Sequence, residues 1–180
     1  MSFVGRAASF EERLASGAGL TFHALPAAPV LGASLGRKAR SLAITLRGAL
    51  AGRRLVRHTR ADVVIGLGGY VSVPAVVGGR LAGRPVLLFE PNAAAGTANR
   101  WLSRLADEAA AAYESTTSAF HCRSTVTGTP VRPEFFAQPR EPRRPPLVLV
   151  LGGSQGARQL NEVVRAALCR MAFPGEAPRL

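Results

Sequence analysis

Along the chain, short aliphatic runs alternate with segments of helical periodicity, which predicts stacked βα units around a parallel sheet. The clearest strands are Asp62 to Ile65, Pro85 to Phe89 and Leu147 to Leu151. Each is a compact apolar run followed at once by glycine or a polar loop, and then by a helical segment. In open α/β sheets such loops lie at the carboxyl ends of the strands, where ligands bind. Ser2 to Val4 reads as a further strand entering a helix over Ala8 to Ala15, and Ala109 to Ala112 as a strand or short buried segment. No strand with a glycine loop precedes Ser2, so the pattern starts one βα unit late. Prolines 130, 133, 139, 142, 145 and 146 exclude a regular helix or central strand between Gly128 and Pro146. That stretch reads as a linker. Beyond it stand one strand, one glycine loop and one helix, Ala157 to Met171, too little for a domain. The expected organisation is an incomplete first domain over 1–128, a proline-rich linker over 129–146 and the beginning of a second domain over 147–180.

Composition adds a packed core to this picture, since 47% of the 180 residues are hydrophobic and only 19% charged. The formal charge of +12 favours polyanionic partners, namely nucleic acid, anionic lipid or a phosphorylated substrate. Nearly all the cations are arginine, so a genome rich in G and C is an alternative source of part of that excess. Cys122 and Cys169 are far apart and lack metal-ligand spacing, which suggests neither a disulfide framework nor a zinc site and fits a reduced cytoplasm. Residues 1–13 carry acids and no apolar core of a leader, and no run of about eighteen apolar residues occurs, so neither export nor a spanning helix is expected.

Four local patterns carry candidate chemistry. Gly66-Leu67-Gly68-Gly69-Tyr70-Val71-Ser72 follows the strand Asp62 to Ile65. Its glycines allow backbone N–H groups close to a ligand, and a helix starting near Ser72 turns its positive end to the same place, which suits a pyrophosphate. The alternative is a tight turn with Ser72 as an ordinary N-cap. Glu90-Pro91-Asn92-Ala93-Ala94-Ala95-Gly96 follows the strand Pro85 to Phe89 and precedes a helix through Asn99, Arg100 and Trp101. A carboxylate and a carboxamide at a strand end can bind sugar hydroxyls or orient an acceptor, or simply cap the turn. In Gly128-Thr129-Pro130-Val131-Arg132, an arginine leaves a proline-fixed turn at the start of the linker, placed to pair with phosphate. Gly152-Gly153-Ser154-Gln155-Gly156-Ala157, with Arg158 just after it, is a second strand–glycine loop–helix nest for phosphate or a nucleotide sugar. It matches neither a Walker loop nor a dinucleotide fingerprint.

Together and in this order the four patterns resemble the MurG family of glycosyltransferases, from about Phe3 to Met171 and most strongly in Asp62 to Ser72 and Leu147 to Asn161. The resemblance implies a GT-B fold: a Rossmann-like parallel-sheet domain, here without its first βα unit, followed by the first βα unit of a second domain. It also implies metal-free, inverting transfer of N-acetylglucosamine from UDP-N-acetylglucosamine to undecaprenyl-pyrophosphoryl-N-acetylmuramyl-pentapeptide, with no cofactor. Asn92, Arg132 and Ser154 match family positions that contact the sugar nucleotide. Gly68, Gly69 and Tyr70, with Ser72, belong to the loop thought to hold the acceptor pyrophosphate, and Gly152, Gly153, Gln155 and Gly156 form the second glycine loop. Glu90 is the carboxylate nominated for a catalytic contribution. The chain has Phe89-Glu90-Pro91-Asn92 where the family usually has His-Glu-Gln-Asn, and Thr129 where it often has Asn. The family's first glycine loop, with its histidine, has no counterpart here, nor has most of the uridine site, so this stretch alone is expected to be weak or inactive.

Between Arg37 and Arg60 lie eight Lys or Arg residues and no acid. Leu35, Leu42, Leu46, Leu50 and Val56 fall near one helical face, with Arg40, Arg47 and Arg54 along its flank. Such a helix can settle on anionic lipid, and its leucines can equally face the sheet. With the family's lipid-linked acceptor, this places the protein in the cytoplasm, peripheral on the inner face of the cytoplasmic membrane. A nucleic-acid binder is disfavoured because no helix-turn-helix, zinc-finger or RNP signature occurs and aromatic platforms are few. A non-catalytic remnant that binds anionic lipid or a partner, and a related UDP-sugar epimerase, are the remaining alternatives.

Overall fold

The structure is a computed structural model that describes residues 1–29, 35–136, 150–152 and 157–170. The chain divides into two compact units, Met1–Val131 and Arg132–Leu180.

The first unit opens with β1 (Ser2–Gly5), α1 (Phe10–Gly17) and β2 (Thr21–Ala24). The first helix starts two residues later than its apolar pattern predicts. Ala8 is left-handed (φ 55°), and Ser9 is the N-cap, its hydroxyl accepting from the Glu12 N–H at 3.3 Å. The Glu12 carboxylate accepts in turn from the Ala8 N–H at 2.6 Å. These bonds satisfy amides that a helix start leaves open, so the helix begins where they end. The strands β1 and β2 pair in parallel, and the Phe3 and Phe22 rings stack across them at 6.2 Å. Polar Thr21 and His23 make β2 a weak sequence signal, and the apolar pattern predicts no strand there.

After α2 (Leu35–His58) the chain runs β3 (Val64–Gly66), α3 (Gly69–Leu81), β4 (Val86–Glu90), α4 (Thr97–Leu102), β5 (Glu108–Ala111), α5 (Glu114–Thr117) and β6 (Arg123–Val126). The four strands form a wholly parallel sheet in the order β3-β4-β5-β6, separate from the β1-β2 pair. The continuous stack expected from the alternating pattern is therefore two sheets among the described residues. Val64 pairs with Val86, Gly66 with Leu88, Leu88 with Ala109 and Glu90 with Ala111, and this alternate set shares one face of the sheet. Val76 from α3 and Leu102 from α4 pack on that face with Val86, Leu88 and Ala109 as a buried core. Each strand passes through a helix to its immediate neighbour, so the loops after β3 and β4 emerge side by side.

The long basic helix turns small residues inward. Gly48, Ala49, Gly52 and Val56 are buried, whereas Leu42, Leu46 and Leu50 are 63%, 59% and 48% exposed. The expected single apolar stripe is thus divided: Val56 faces inward and Leu42, Leu46 and Leu50 line an outer face, while the Leu35 side chain lies outside the described residues. Glycine makes the inward packing possible. A Cβ on Gly78 of α3 would fall 2.5 Å from the Arg53 nitrogen and 2.6 Å from the Gly52 carbonyl carbon. Main chains that close leave no space for leucine between them.

In the second unit, a 3-10 turn (Pro133–Phe135) and α6 (Arg158–Arg170) are the regular elements described. Residues 137–149 and 153–156 lie outside the described residues. They include most of the expected linker and of the strand Leu147 to Leu151, whose described residues Val150 and Leu151 are in no strand. Helix α6 matches the span expected for it, within a residue at each end.

Substituting Gly78 by Ala should lower stability by about 1–3 kcal/mol through overpacking against α2. Gly36→Ala, on the exposed start of α2 with open space around it, should be neutral or stabilising by up to about 1 kcal/mol. Urea unfolding midpoints of the two variants check this, and equal effects would refute the close-packing account.

Candidate functional site

The loops that leave β3 and β4 meet around one buried carboxamide. Gly68 is the N-cap of α3, and both it and Gly69 have positive φ (88° and 72°). That backbone is strained for any residue with a Cβ. With no side chain capping it, α3 presents its first-turn N–H groups at the end of the turn. The helix begins at Gly69 and not near Ser72. Ser72 lies inside the first turn, where its hydroxyl donates to the Gly69 carbonyl at 2.9 Å, so it is not the N-cap. Tyr70 is half-buried.

Glu90 ends β4 at 2% exposure. Its Oε1 accepts from the Asn92 N–H at 3.1 Å and the Asn92 carboxamide at 2.7 Å. Its Oε2 accepts from the Gly96 N–H at 2.9 Å and the Asn99 carboxamide at 3.0 Å. A carboxylate has about four lone-pair directions, and all are used. Burial pushes this carboxyl up. The bonds from Gly96, Asn92 and Asn99 outweigh it and hold Glu90 below the ordinary glutamate value. The arrangement clasps the 91–96 loop and leaves no lone pair to take a proton from a ligand, which runs against the catalytic role nominated for Glu90.

The same loop is pinned from the other side. Thr116 of α5 donates to the Asn92 carbonyl at 2.9 Å, and Ser115 donates to the Ala93 carbonyl at 3.0 Å. Asn92 itself is exposed at the loop surface. Asn99, which sequence reasoning treated only as a helix marker, is 1% exposed. Its carboxamide donates to the Phe89 carbonyl as well as to Glu90, both at 3.0 Å. A Cβ on Gly68 would lie 3.0 Å from the Asn99 Nδ2, so the glycine turn rests on this side chain. Spacing alone held a signal: Asn99 and Leu102 stand three apart, which puts Asn99 on the buried face of α4.

The outer face of α4 differs in kind. Thr97, Arg100, Trp101 and Arg104 line an open depression of about 260 Å³ with His121. The Arg104 guanidinium lies 5.9 Å from the Trp101 ring centroid. Arg40, Arg47 and Arg54 are exposed on α2. At about 100° per residue they fall on the flank beside the exposed line of Leu42, Leu46 and Leu50.

In the second unit Arg132 is exposed, its guanidinium 5.5 Å from the Phe135 ring. Gly152 is exposed and packs beside Ala157. Gly153, Ser154, Gln155 and Gly156 lie outside the described residues. Arg158 pairs with Glu162 at 2.9 Å. Among the described residues no group of three or more His, Cys, Asp or Glu side chains is placed to hold a metal ion, and no helix is long and apolar enough to cross a membrane.

The glycosyltransferase family 28 N-terminal domain model matches residues 1–111. The chain is 41% identical over 172 residues to the UDP-N-acetylglucosamine--N-acetylmuramyl-(pentapeptide) pyrophosphoryl-undecaprenol N-acetylglucosamine transferase of Ectopseudomonas mendocina, covering 94% of this chain and 48% of the relative. The protein of the same name from Magnetococcus marinus is 37% identical over 181 residues, covering 96% of this chain and 49% of the relative. Among solved structures, MurG of Acinetobacter baumannii is similar with a TM-score of 0.69 and 29% identity, over 95% of this chain and 46% of that one. The chain spans about half the length of the curated relatives it matches.

The Glu90 clasp has a pH signature. A carboxyl whose folded pKa is lowered contributes stability that is complete above its unfolded value, about 4.3, and is lost as pH falls through the folded value. The stability gap between the wild type and Glu90→Gln should be roughly 1–3 kcal/mol near neutrality and shrink below about pH 4. A gap unchanged down to about pH 3 in urea titrations would show that the charge of Glu90 contributes nothing.

Proposed function

The chain belongs to glycosyltransferase family 28 and has the parallel-sheet α/β architecture of the GT-B type; on that premise we propose that it is the acceptor-binding part of a MurG-type N-acetylglucosaminyltransferase. The reaction is inverting transfer of N-acetylglucosamine from UDP-N-acetylglucosamine to undecaprenyl-pyrophosphoryl-N-acetylmuramyl-pentapeptide, a step of cell-wall synthesis on which cell shape and division depend. One observation carries the reading. The uncapped amino end of α3, with Gly68 and Gly69 at positive φ, stands beside the clasped Glu90–Gly96 loop at the carboxyl ends of adjacent parallel strands.

In this reading the first-turn amides of α3 and the Gly68–Gly69–Tyr70 turn bind the acceptor pyrophosphate, since a helix N-terminus offers both N–H donors and a positive partial charge. The Ser72 hydroxyl is engaged within the helix, so it shapes that turn. Asn92, held by Glu90 through its Nδ2, presents the rest of its carboxamide to the sugar nucleotide. Arg132, Ser154 and the Gly152, Gly153, Gln155 and Gly156 loop serve the same donor. Glu90 acts through Asn92 as a positioning residue, and the base that takes the acceptor hydroxyl's proton is a different group. Neither a metal nor a cofactor is assigned a role.

The enzyme works at the inner face of the cytoplasmic membrane, held there peripherally through α2. Leu42, Leu46 and Leu50 enter the interface, and Arg40, Arg47 and Arg54 meet anionic headgroups.

Transfer of radiolabelled N-acetylglucosamine to the lipid-linked acceptor tests the catalytic reading, comparing the 180-residue chain with a form extended at both ends to the length of its relatives. Transfer by the extended form alone is expected. A folded extended protein that transfers no sugar would overturn the assignment and favour a binding module. For the membrane reading, each surface cation contributes on the order of 1 kcal/mol, so joint Arg40→Gln, Arg47→Gln and Arg54→Gln should weaken partitioning into phosphatidylglycerol vesicles on the order of 100-fold. Equal partitioning of variant and wild type would remove α2 from that role.

A further inference from the structure

We infer that Asn99 is a positioning residue which sets the spacing between the glycine turn of α3 and the Glu90–Gly96 loop; the inference rests on the reading that this turn receives an anion. Three observations lead there. First, both N–H groups of the Asn99 carboxamide are committed, to the Phe89 carbonyl and to Glu90 Oε2, each at 3.0 Å. That fixes its orientation, because a flipped amide would set its oxygen against two acceptors. Second, Glu90 Oε2 also accepts from the Gly96 N–H at 2.9 Å, so Asn99 and the end of the second loop share one oxygen atom. Third, the Gly68 turn lies on the same carboxamide, the site of a Cβ being 3.0 Å from Nδ2 and 3.6 Å from Oδ1.

One atom of Asn99 is unused. Its Oδ1 is buried and has no hydrogen-bond partner among the described residues. Folded proteins rarely leave a buried acceptor unmet, and each exception calls for an explanation. Leucine would remove the unmet oxygen, yet it would deny Phe89 and Glu90 their donors. Aspartate would keep the shape and set a second carboxylate about 3 Å from Glu90, where two such groups cannot both ionise readily. Only the amide supplies two donors in this volume without adding charge. The spare oxygen also determines what Asn99 does not do. A phosphate oxygen is itself an acceptor and finds no donor there, so Asn99 does not bind the anion. It acts through Gly68 on one side and Glu90 on the other.

A perturbation of one loop must therefore register in the other. Amide hydrogen exchange of the 180-residue chain, read at Gly96 and at Ser72, the first amide of α3 that the helix itself bonds, with Val76 and Leu88 as core references, tests this for Asn99→Asp and Gly68→Ala. With Asn99→Asp at about pH 8, exchange at Ser72 and Gly96 should rise roughly tenfold over wild type while the core references do not change. At about pH 5 the introduced carboxyl and Glu90 share a proton; this restores the donor to Glu90, though not the one to Phe89, and should bring the ratio to within about threefold. Gly68→Ala presses on the carboxamide from the opposite loop and should raise exchange at Gly96 on its own, which keeps the test decisive if Asn99→Asp unfolds at high pH. Unchanged exchange at Ser72 and Gly96, or a rise shared equally with Val76 and Leu88, would overturn the inference, since a merely structural residue loosens the whole core.

Inorganic pyrophosphate, titrated against the amide resonances of Gly69 and Tyr70, separates this idea from the reading beneath it. If wild type binds pyrophosphate and Asn99→Asp binds roughly tenfold more weakly at about pH 8 but not at about pH 5, both stand. Binding that is equal in wild type and variant at both pH values sinks the role of Asn99 alone. If wild type binds none while the exchange pattern appears, the anion reading fails and Asn99 still couples the loops.

Discussion

A carboxylate taken out of water must be given donors for its lone pairs or be neutralised, and Glu90 at the end of β4 receives them from three separate places in the chain. The Asn92 amide and carboxamide come from the next turn, the Gly96 amide from the end of the loop, and the Asn99 carboxamide from the first turn of α4. A surface loop is ordinarily the mobile part of an α/β unit. Here it is tied around a desolvated charge whose release would leave several polar groups unpaired at once. The glycine turn of α3 then rests on Asn99, so the order of the first loop depends on the clasp of the second. Thr116 and Ser115 extend the same dependence to α5.

The strands that position this site were legible because parallel strands, covered on at least one face, read as unbroken aliphatic runs. Asp62 to Ile65 and Pro85 to Phe89 each fell within two residues of the observed strands, and the alanines of β5 were found as a strand or buried segment. The β2 and β6 strands were not found, since Thr21, His23, Arg123, Ser124 and Thr125 give no apolar signal. Helix starts erred where a local bond outweighed periodicity: Ser9 delays α1, and the positive φ at Gly68 and Gly69 lets α3 begin before Ser72. The Glu90 and Asn92 cluster was visible as two polar residues at a strand end. Its meaning was not, because sequence does not show that the two bond each other. Asn99 was missed for a related reason: polar residues in short helices usually face water.

Helix α2 shows a different limit of pattern reading. Its leucines were open to two readings, toward the sheet or toward lipid, and the structure puts Leu42, Leu46 and Leu50 outside. The decision lies with residues that carry no hydrophobic weight. Gly52 and Gly78 let two helix backbones approach to distances at which a single Cβ collides with main-chain atoms, and Gly48 lets α2 approach the Pro26 carbonyl in the same way. Close main-chain contact gains dispersion over a long helix pair and displaces the large side chains to the opposite side. An outward leucine line beside Arg40, Arg47 and Arg54 is thus a consequence of packing, and the membrane reading supplies a use for a surface that the core cannot accommodate.

The amino end of α3 completes the same logic of local cost and gain. Serine, threonine, aspartate or asparagine at an N-cap stabilises a helix by roughly 1 kcal/mol through a bond to a first-turn amide. Gly68 forgoes that bond, and the positive φ of the turn further restricts what may stand there. The unmet amides and the helix dipole then favour any anion that arrives, in a chain whose net charge of +12 already raises the local concentration of anions. A side-chain cap at position 68 would occupy those donors permanently and would strike Asn99 at its Nδ2. Glycine leaves the donors free, and the carboxamide beneath packs against the turn. On the proposed reading, an anion bound at those amides restores the stability missing from the helix end.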